Sequence, residues 1–217
     1  MSSRTIAVLI AARRVADLAE ADGALRDTGA LRPASCHMGA VLADAVLQAG
    51  LNYASVVRPR VAAILHRYPT ATRVSTVMDV VQAGQAASFL SWGHETKVDR
   101  FERLVRFLVC RSVDTAVDLR SSLECETFRA DLQELRGIGP KTVDYLACLV
   151  GLDSIAVDRH VRAYAFRAGV SAHDYDFLRE VFCGAADLLS VSRRSLDAWI
   201  WRRESSGSGQ RQLALPI

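Results

Sequence analysis

Apolar residues recur at helical spacing along most of the chain, and alternating strand patterns are scarce. The opening MSSRTIAVLIAARRVADLAEADG reads as an amphipathic helix, with Arg13, Arg14, Asp17 and Glu20 directly after a short apolar stretch. Met38 to Leu47 reads as a buried helix, and Pro59 fits the first turn of the next one, through Val61, Ile64 and Leu65. Ser75 is placed to cap Val77 to Val81. Phe101, Leu104, Val105 and Leu108 form one apolar face, with Arg103 and Arg106 opposite. The pattern continues through Phe128, Leu132 and Leu135, Val143 to Val150, Val161 to Phe166, Phe177 to Leu189, and Leu196 to Trp201. The expected fold class is all-α. After Arg203 the run ESSGSGQRQ reads as a flexible polar tail, ending in the apolar segment Gln212-Leu-Ala-Leu-Pro-Ile217.

Composition narrows this reading. The 217 residues suit one domain or two small ones, and a hydrophobic content of 50% excludes wholesale disorder. The 27 basic against 24 acidic residues give +3, too mild a balance to require a polyanionic partner. Lys97 and Lys141 are the only two lysines; every other basic residue counted is arginine. That bias is most simply a mark of GC-rich coding, and Lys97 reads as an ordinary surface lysine. No apolar run reaches the roughly 18 residues needed to span a bilayer, and no cleavage pattern follows the first apolar stretch, so neither a membrane nor a signal peptide is expected. Cys36, Cys110, Cys125, Cys148 and Cys183 are scattered, without the close pair that zinc or iron–sulfur sites use. They read as reduced thiols of a cytoplasmic protein, with no metal and no cofactor.

The informative segment is Leu132-Gln-Glu-Leu-Arg-Gly-Ile-Gly-Pro-Lys-Thr-Val-Asp-Tyr-Leu-Ala-Cys-Leu-Val150. A helix ends near Leu135, Gly137 and Gly139 allow positive φ in a tight hairpin, and Pro140 suits the first turn of a new helix. Ile138 can point inward as a hydrophobic pin. Backbone N–H groups at such a helix start form an anion site, so Gly137, Ile138, Gly139 and Thr142 are candidate phosphate contacts. Lys141 closes the hairpin, and Asp158 follows seventeen residues later in Ile155-Ala-Val-Asp-Arg-His-Val-Arg162.

The segment resembles the helix-hairpin-helix motif of DNA-binding proteins. With Lys141 and Asp158 it closely resembles the helix-hairpin-helix base-excision DNA glycosylases, which include endonuclease III and the 8-oxoguanine glycosylases. The resemblance is sharp over Leu135 to Val161 and extends as helix pattern from Met38 to Arg203. It implies a two-lobed helical fold, with residues 38–155 as a central lobe, 1–37 and 156–203 as the other, and 204–217 as the tail. It implies Lys141 as nucleophile and Asp158 as its carboxylate partner. It points Gln48, Asn52 and Tyr53 toward the base pocket or the gap left in the duplex, and makes Trp92 or His94 a strand-inserting wedge; core packing of Trp92 is the alternative. Relatives often carry glutamine where Gly50 aligns here. No cysteine follows Cys183, so the four-cysteine iron–sulfur loop of some relatives is absent. The D-R-H triplet is most similar to archaeal-type 8-oxoguanine glycosylases.

The chemistry accounts for the residue types. The deoxyribose gains oxocarbenium character as the base leaves, and a carboxylate at Asp158 stabilises it. A neutral amine can attack the anomeric carbon, form a Schiff base and permit β-elimination, whereas arginine stays protonated. The implied activity is a bifunctional glycosylase and AP lyase acting on an oxidised base in duplex DNA. An N-cap role for Asp158 is compatible with this, and His160 reads as structural. Arg193, Arg194, Arg202 and Arg203 could meet phosphates or form a solvated helix face. Gln212, Leu213, Leu215, Pro216 and Ile217 resemble the peptide by which bacterial repair proteins bind the replicative sliding clamp. That implies a bacterial, nucleoid-associated protein, and a monomer is expected. The alternatives are a non-catalytic DNA-binding module and an AP lyase without glycosylase activity.

Overall fold

A computed structural model describes residues 2–26, 33–172 and 174–211. It is all-α: among the described residues every regular element is a helix or a helical turn. The chain divides into two compact units, residues 33–152 and residues 1–32 with 153–217. The expected lobe boundaries at 38 and 155 fall a few residues from these.

The first helix, α1 (Ser3–Ala21), belongs to the discontinuous unit and is capped by the Ser2 hydroxyl, which accepts from the Thr5 amide. The continuous unit begins with α2 (Met38–Leu47), in which all ten residues are buried. A π-helical turn at Tyr53–Val57 leads into α3 (Arg58–Arg67), with proline in its first turn as expected. There follow α4 (Val74–Gln82), α5 (Ala86–Leu90), α6 (Glu95–Cys110) and α7 (Ala116–Ser122). The unit closes with α8 (Glu126–Gln133) and α9 (Pro140–Leu149). The expected face of α6 is real: Phe101, Leu104, Val105 and Leu108 are fully buried against α2 and α4. Ser75 is not the cap of α4. The helix starts at Val74, with Arg73 at the N-cap position two residues earlier, and the Asp114 carboxylate accepts from the Ser75 amide at 2.8 Å. A carboxylate held by Arg73 at 2.7 Å outcompetes a local hydroxyl.

The discontinuous unit holds α1 with α10 (Arg159–Arg167), α11 (Tyr175–Leu189) and α12 (Arg193–Arg211); α1 packs on α11, and α12 packs on α10 and α11. Small residues let α1 and α11 approach closely; a Cβ on Gly184 would lie 3.1 Å from that of Ala12. Asp22 gathers Tyr164, Arg167 and Arg203 at 3.2, 2.6 and 2.6 Å. The tail expected to be flexible from residue 204 is corrected in part, because α12 continues to Arg211. Glu204 pairs with Arg167, which ties that turn to α10. Gln212, Leu213, Leu215, Pro216 and Ile217, the expected clamp-binding segment, lie outside the described residues.

Candidate functional site

Lys141 occupies the second position of α9, directly after the Gly137–Gly139 turn. Leu135 accepts from the Ile138 amide at 2.8 Å, and Gly137 has the expected positive φ, +87°, whereas Gly139, as N-cap of α9, is extended at φ −101°. Ile138 is buried, as an inward pin should be. The same bonding corrects two of the four expected phosphate donors. The Ile138 amide closes the turn, and the Thr142 amide donates to Gly139 at 2.9 Å while its side chain is buried. Gly137 and Gly139 are the two expected positions left on the turn.

The half-buried Lys141 ammonium donates to Gln48 Oε1 and lies 5.7 Å from the centre of the Tyr145 ring. Gln48 is the C-cap of α2, and its Nε2 donates to Ala45 at 3.4 Å. Tyr145 is anchored from behind, since its hydroxyl donates to Asp44 Oδ1 at 3.0 Å. Tyr53 donates to Asp44 Oδ2 at 3.1 Å. Asp44 is fully buried, and these two phenols supply charge-assisted hydrogen bonds to a carboxylate in an otherwise apolar helix. Asp144, one turn beyond Lys141, pairs with Arg129 on α8 at 2.6 Å. That bond crosses the two helices flanking the turn.

Lys97 on α6 is not the ordinary surface lysine the sequence suggested. Its ammonium donates to the carbonyls of Val46, Leu47 and Ala49 at 3.0, 3.2 and 2.8 Å. A cation at a helix C-terminus satisfies orphan carbonyls and complements the helix dipole. Burial, and then the like charges of Arg100 and Lys141, push the Lys97 pKa down to about 8. A cavity of about 290 Å³ opens beside it, lined by Ala49, Trp92, His94, Thr96, Lys97 and Arg100. A larger cavity, about 420 Å³, lies elsewhere in this unit between Ser75, Met78, Val109 and Asp114, and neither lysine lines it.

The other expected pocket residues divide. Tyr53 and Gln48 belong to the lysine cluster. Asn52 is turned to local work, its side-chain carbonyl accepting from the Ser55 amide at 3.0 Å to cap the π-helical turn. Trp92 packs against the core with the Arg60 guanidinium 5.0 Å from its ring, an arrangement that fits its packing alternative. His94 is exposed and caps α6 through Nδ1, 3.4 Å from the Thr96 amide. The Arg100 guanidinium lies against the turn, where a Cβ on Gly137 would come within 2.3 Å of it.

In the other unit, Asp158 is the N-cap of α10. Its Oδ1 accepts from the His160 and Val161 amides at 2.7 and 3.0 Å. His160 is buried and meets Trp201 edge-on at 6.2 Å. Arg193 pairs with Asp187 at 3.5 Å and Arg203 with Asp22 at 2.6 Å, so both of these candidates for phosphate contact already have acidic partners.

Sequence reasoning missed Asp44, Asp144 and the role of Lys97. A lone acid in the apolar run MGAVLADAVL was a usable signal for Asp44. Among the described residues, no cluster of three histidine, cysteine or acidic side chains could hold a metal, and no helix is long and apolar enough to cross a membrane. No curated protein and no solved structure matches the chain. The model of one family, described as a domain of unknown function (DUF8548), matches residues 48–205.

Proposed function

We propose that the chain, which belongs to the DUF8548 family, is a DNA glycosylase with AP lyase activity that excises an oxidised base from duplex DNA. The observation that carries the reading is Lys141 itself. One of only two lysines stands at the start of α9, beside a glycine turn, with its amine directed by Gln48 over Tyr145. A lysine that only served solubility would need neither partner.

In this reading the α8–turn–α9 segment is a helix-hairpin-helix, and the Gly137 and Gly139 amides receive a backbone phosphate. The neutral Lys141 amine attacks the sugar C1′, and the C1′–N bond to the base breaks with its electron pair leaving on the base. Gln48 Oε1 accepts a hydrogen bond from the amine and aims it, and the proton that the amine sheds after attack goes to the departing base, on whose freed electron pair it settles. The opened sugar is then held as a Schiff base, and loss of a C2′ proton expels the 3′ phosphate. Asp158 supplies negative charge for the oxocarbenium-like sugar. The cytoplasmic nucleoid and the sliding clamp remain parts of this proposal that rest on the sequence resemblance alone.

A second reading, an AP lyase without base excision, is favoured by one fact: the Asp158 carboxylate already caps α10 through Oδ1. Duplexes carrying either an abasic site or one of several oxidised bases, each against all four opposing bases, separate the readings. Strand cleavage at both kinds of site supports the bifunctional enzyme. Cleavage only at abasic sites leaves the lyase. Tight binding with no cleavage overturns both in favour of a binding module.

A further inference from the structure

We infer that Lys97 is a positioning residue for Lys141: it fastens the end of α2 that presents Gln48 to the Lys141 amine, and sets a like charge beside that amine. The inference rests on the reading of Lys141 as the nucleophile, and assigns a task to the one other lysine.

The geometry is specific. Three hydrogen bonds from one ammonium, to Val46, Leu47 and Ala49, match the three donors that a lysine carries. They fall on either side of Gln48 in the chain, so the residue that receives Lys141 is bracketed by carbonyls tied to α6. Gln48 itself is held at two more points, its backbone amide on Asp44 at 3.0 Å and its Nε2 on Ala45. The next turn gives no stiffness of its own, since Gly50 has φ +76° with open space around it. Without the Lys97 clamp, the end of α2 would fray at the residue whose carbonyl directs the amine. Arginine, the cation this chain uses almost everywhere else, presents a planar fork and cannot make three converging bonds from one nitrogen.

The charge has a second effect. Lys141 depresses the proton affinity of Lys97 through space. Coupling between two titrating groups is mutual, so protonated Lys97 also favours the neutral Lys141 amine. Among the described residues, the charged and titratable groups around the pair include Arg100 and His94 on α6, Tyr145 on α9, Tyr53 after α2, and the Asp44 carboxylate behind the two tyrosines. The Asp44 carboxylate is engaged by both phenols.

With two lysines in the chain, protein carrying ¹³Cε-lysine gives two lysine signals, and each can be titrated. In Lys97→Met the Lys141 midpoint should rise by about half a pH unit or more, and in Lys97→Arg, which keeps the charge, it should stay near wild type. Borohydride trapping on an abasic duplex should then be at least about threefold slower in Lys97→Met at pH 7, with its profile displaced to higher pH. A purely structural lesion lowers the rate without displacing the profile. If Lys97→Met fails to fold, Lys141→Gln reports the same coupling, because the Lys97 midpoint should climb from about 8. An unmoved Lys141 midpoint in Lys97→Met, or an unmoved Lys97 midpoint in Lys141→Gln, overturns the inference while leaving the lyase reading intact. Wild-type protein that shows the coupling but traps no abasic DNA overturns the lyase reading instead, and with it the role of Lys97 in a reaction.

Discussion

Replacing Arg129 by methionine is the sharpest test of how the lysine turn is built. Arg129 sits on α8 and reaches Asp144 on α9 at 2.6 Å, with side-chain exposures of 12% and 1%. Removing the guanidinium leaves a carboxylate in a site nearly closed to water. Breaking a buried pair from one side costs about 3–5 kcal/mol, most of it the desolvation of the carboxylate that has lost its countercharge. For a chain of this size that corresponds to a melting temperature lower by about 6–20 °C. Urea unfolding followed by circular dichroism gives the free energy directly. The double variant Arg129→Met with Asp144→Leu removes both charges and refills the volume, so it should lie within about 2 kcal/mol of wild type. A cost below about 1 kcal/mol for Arg129→Met, or a double variant as damaged as the two singles added together, would refute the reasoning.

Other expectations follow from single residues. Gly137→Ala should destabilise by about 1–2 kcal/mol from left-handed backbone alone, and should weaken binding to an abasic duplex, because its Cβ would displace the Arg100 guanidinium. Gly139→Ala, at φ −101° with nothing within 4 Å of the new methyl, should stay within about 0.5 kcal/mol of wild type in a thermal melt. Asp158→Ala should lose about 1 kcal/mol of cap energy in urea. Asp158→Asn keeps a capping oxygen, so it should melt like wild type and still form an adduct at preformed abasic sites while base excision falls at least about hundredfold. The Asp114 carboxyl is held below its usual value, first by the hydrogen bond from the Ser75 amide and also by Arg73. Its stabilisation is therefore present above the ordinary carboxyl pKa of 3.8 and is lost as pH falls through the lower folded value, so Asp114→Asn should flatten the acid limb of a stability–pH curve.

The parts legible in the sequence were those that neighbouring residues determine. Met38 to Leu47 is apolar enough that burial on all sides was the natural reading, and α2 has those bounds. The Gly-Ile-Gly-Pro run set the turn, the buried pin and the start of α9 through local backbone preference. What was not legible depends on partners far along the chain. Lys97 reads as a surface cation in the sequence because its acceptors are backbone carbonyls about fifty residues away, which no side-chain pattern reveals. Asp114 displaced Ser75 as the cap of α4 for the same reason, through a contact across 39 positions. Asn52 was assigned to a ligand, yet its carbonyl serves a π-helical turn that periodicity at 3.6 residues does not signal. The Ser and Gly residues after Arg203 argue for a flexible tail, whereas α12 runs on through them to Arg211, with Glu204 in its path paired to Arg167 on α10.

In the proposed reaction the Lys141 amine bonds covalently to the sugar of damaged DNA. Borohydride reduction of the full-length protein on an abasic duplex, followed by protease digestion and mass mapping of the adduct, tests it directly. The expected result is a single cross-linked peptide whose modified residue is Lys141, lost in Lys141→Gln while affinity for the duplex is kept. An adduct mapped to Lys97 or to the N-terminal amine, or none from protein that binds the duplex tightly, would contradict it.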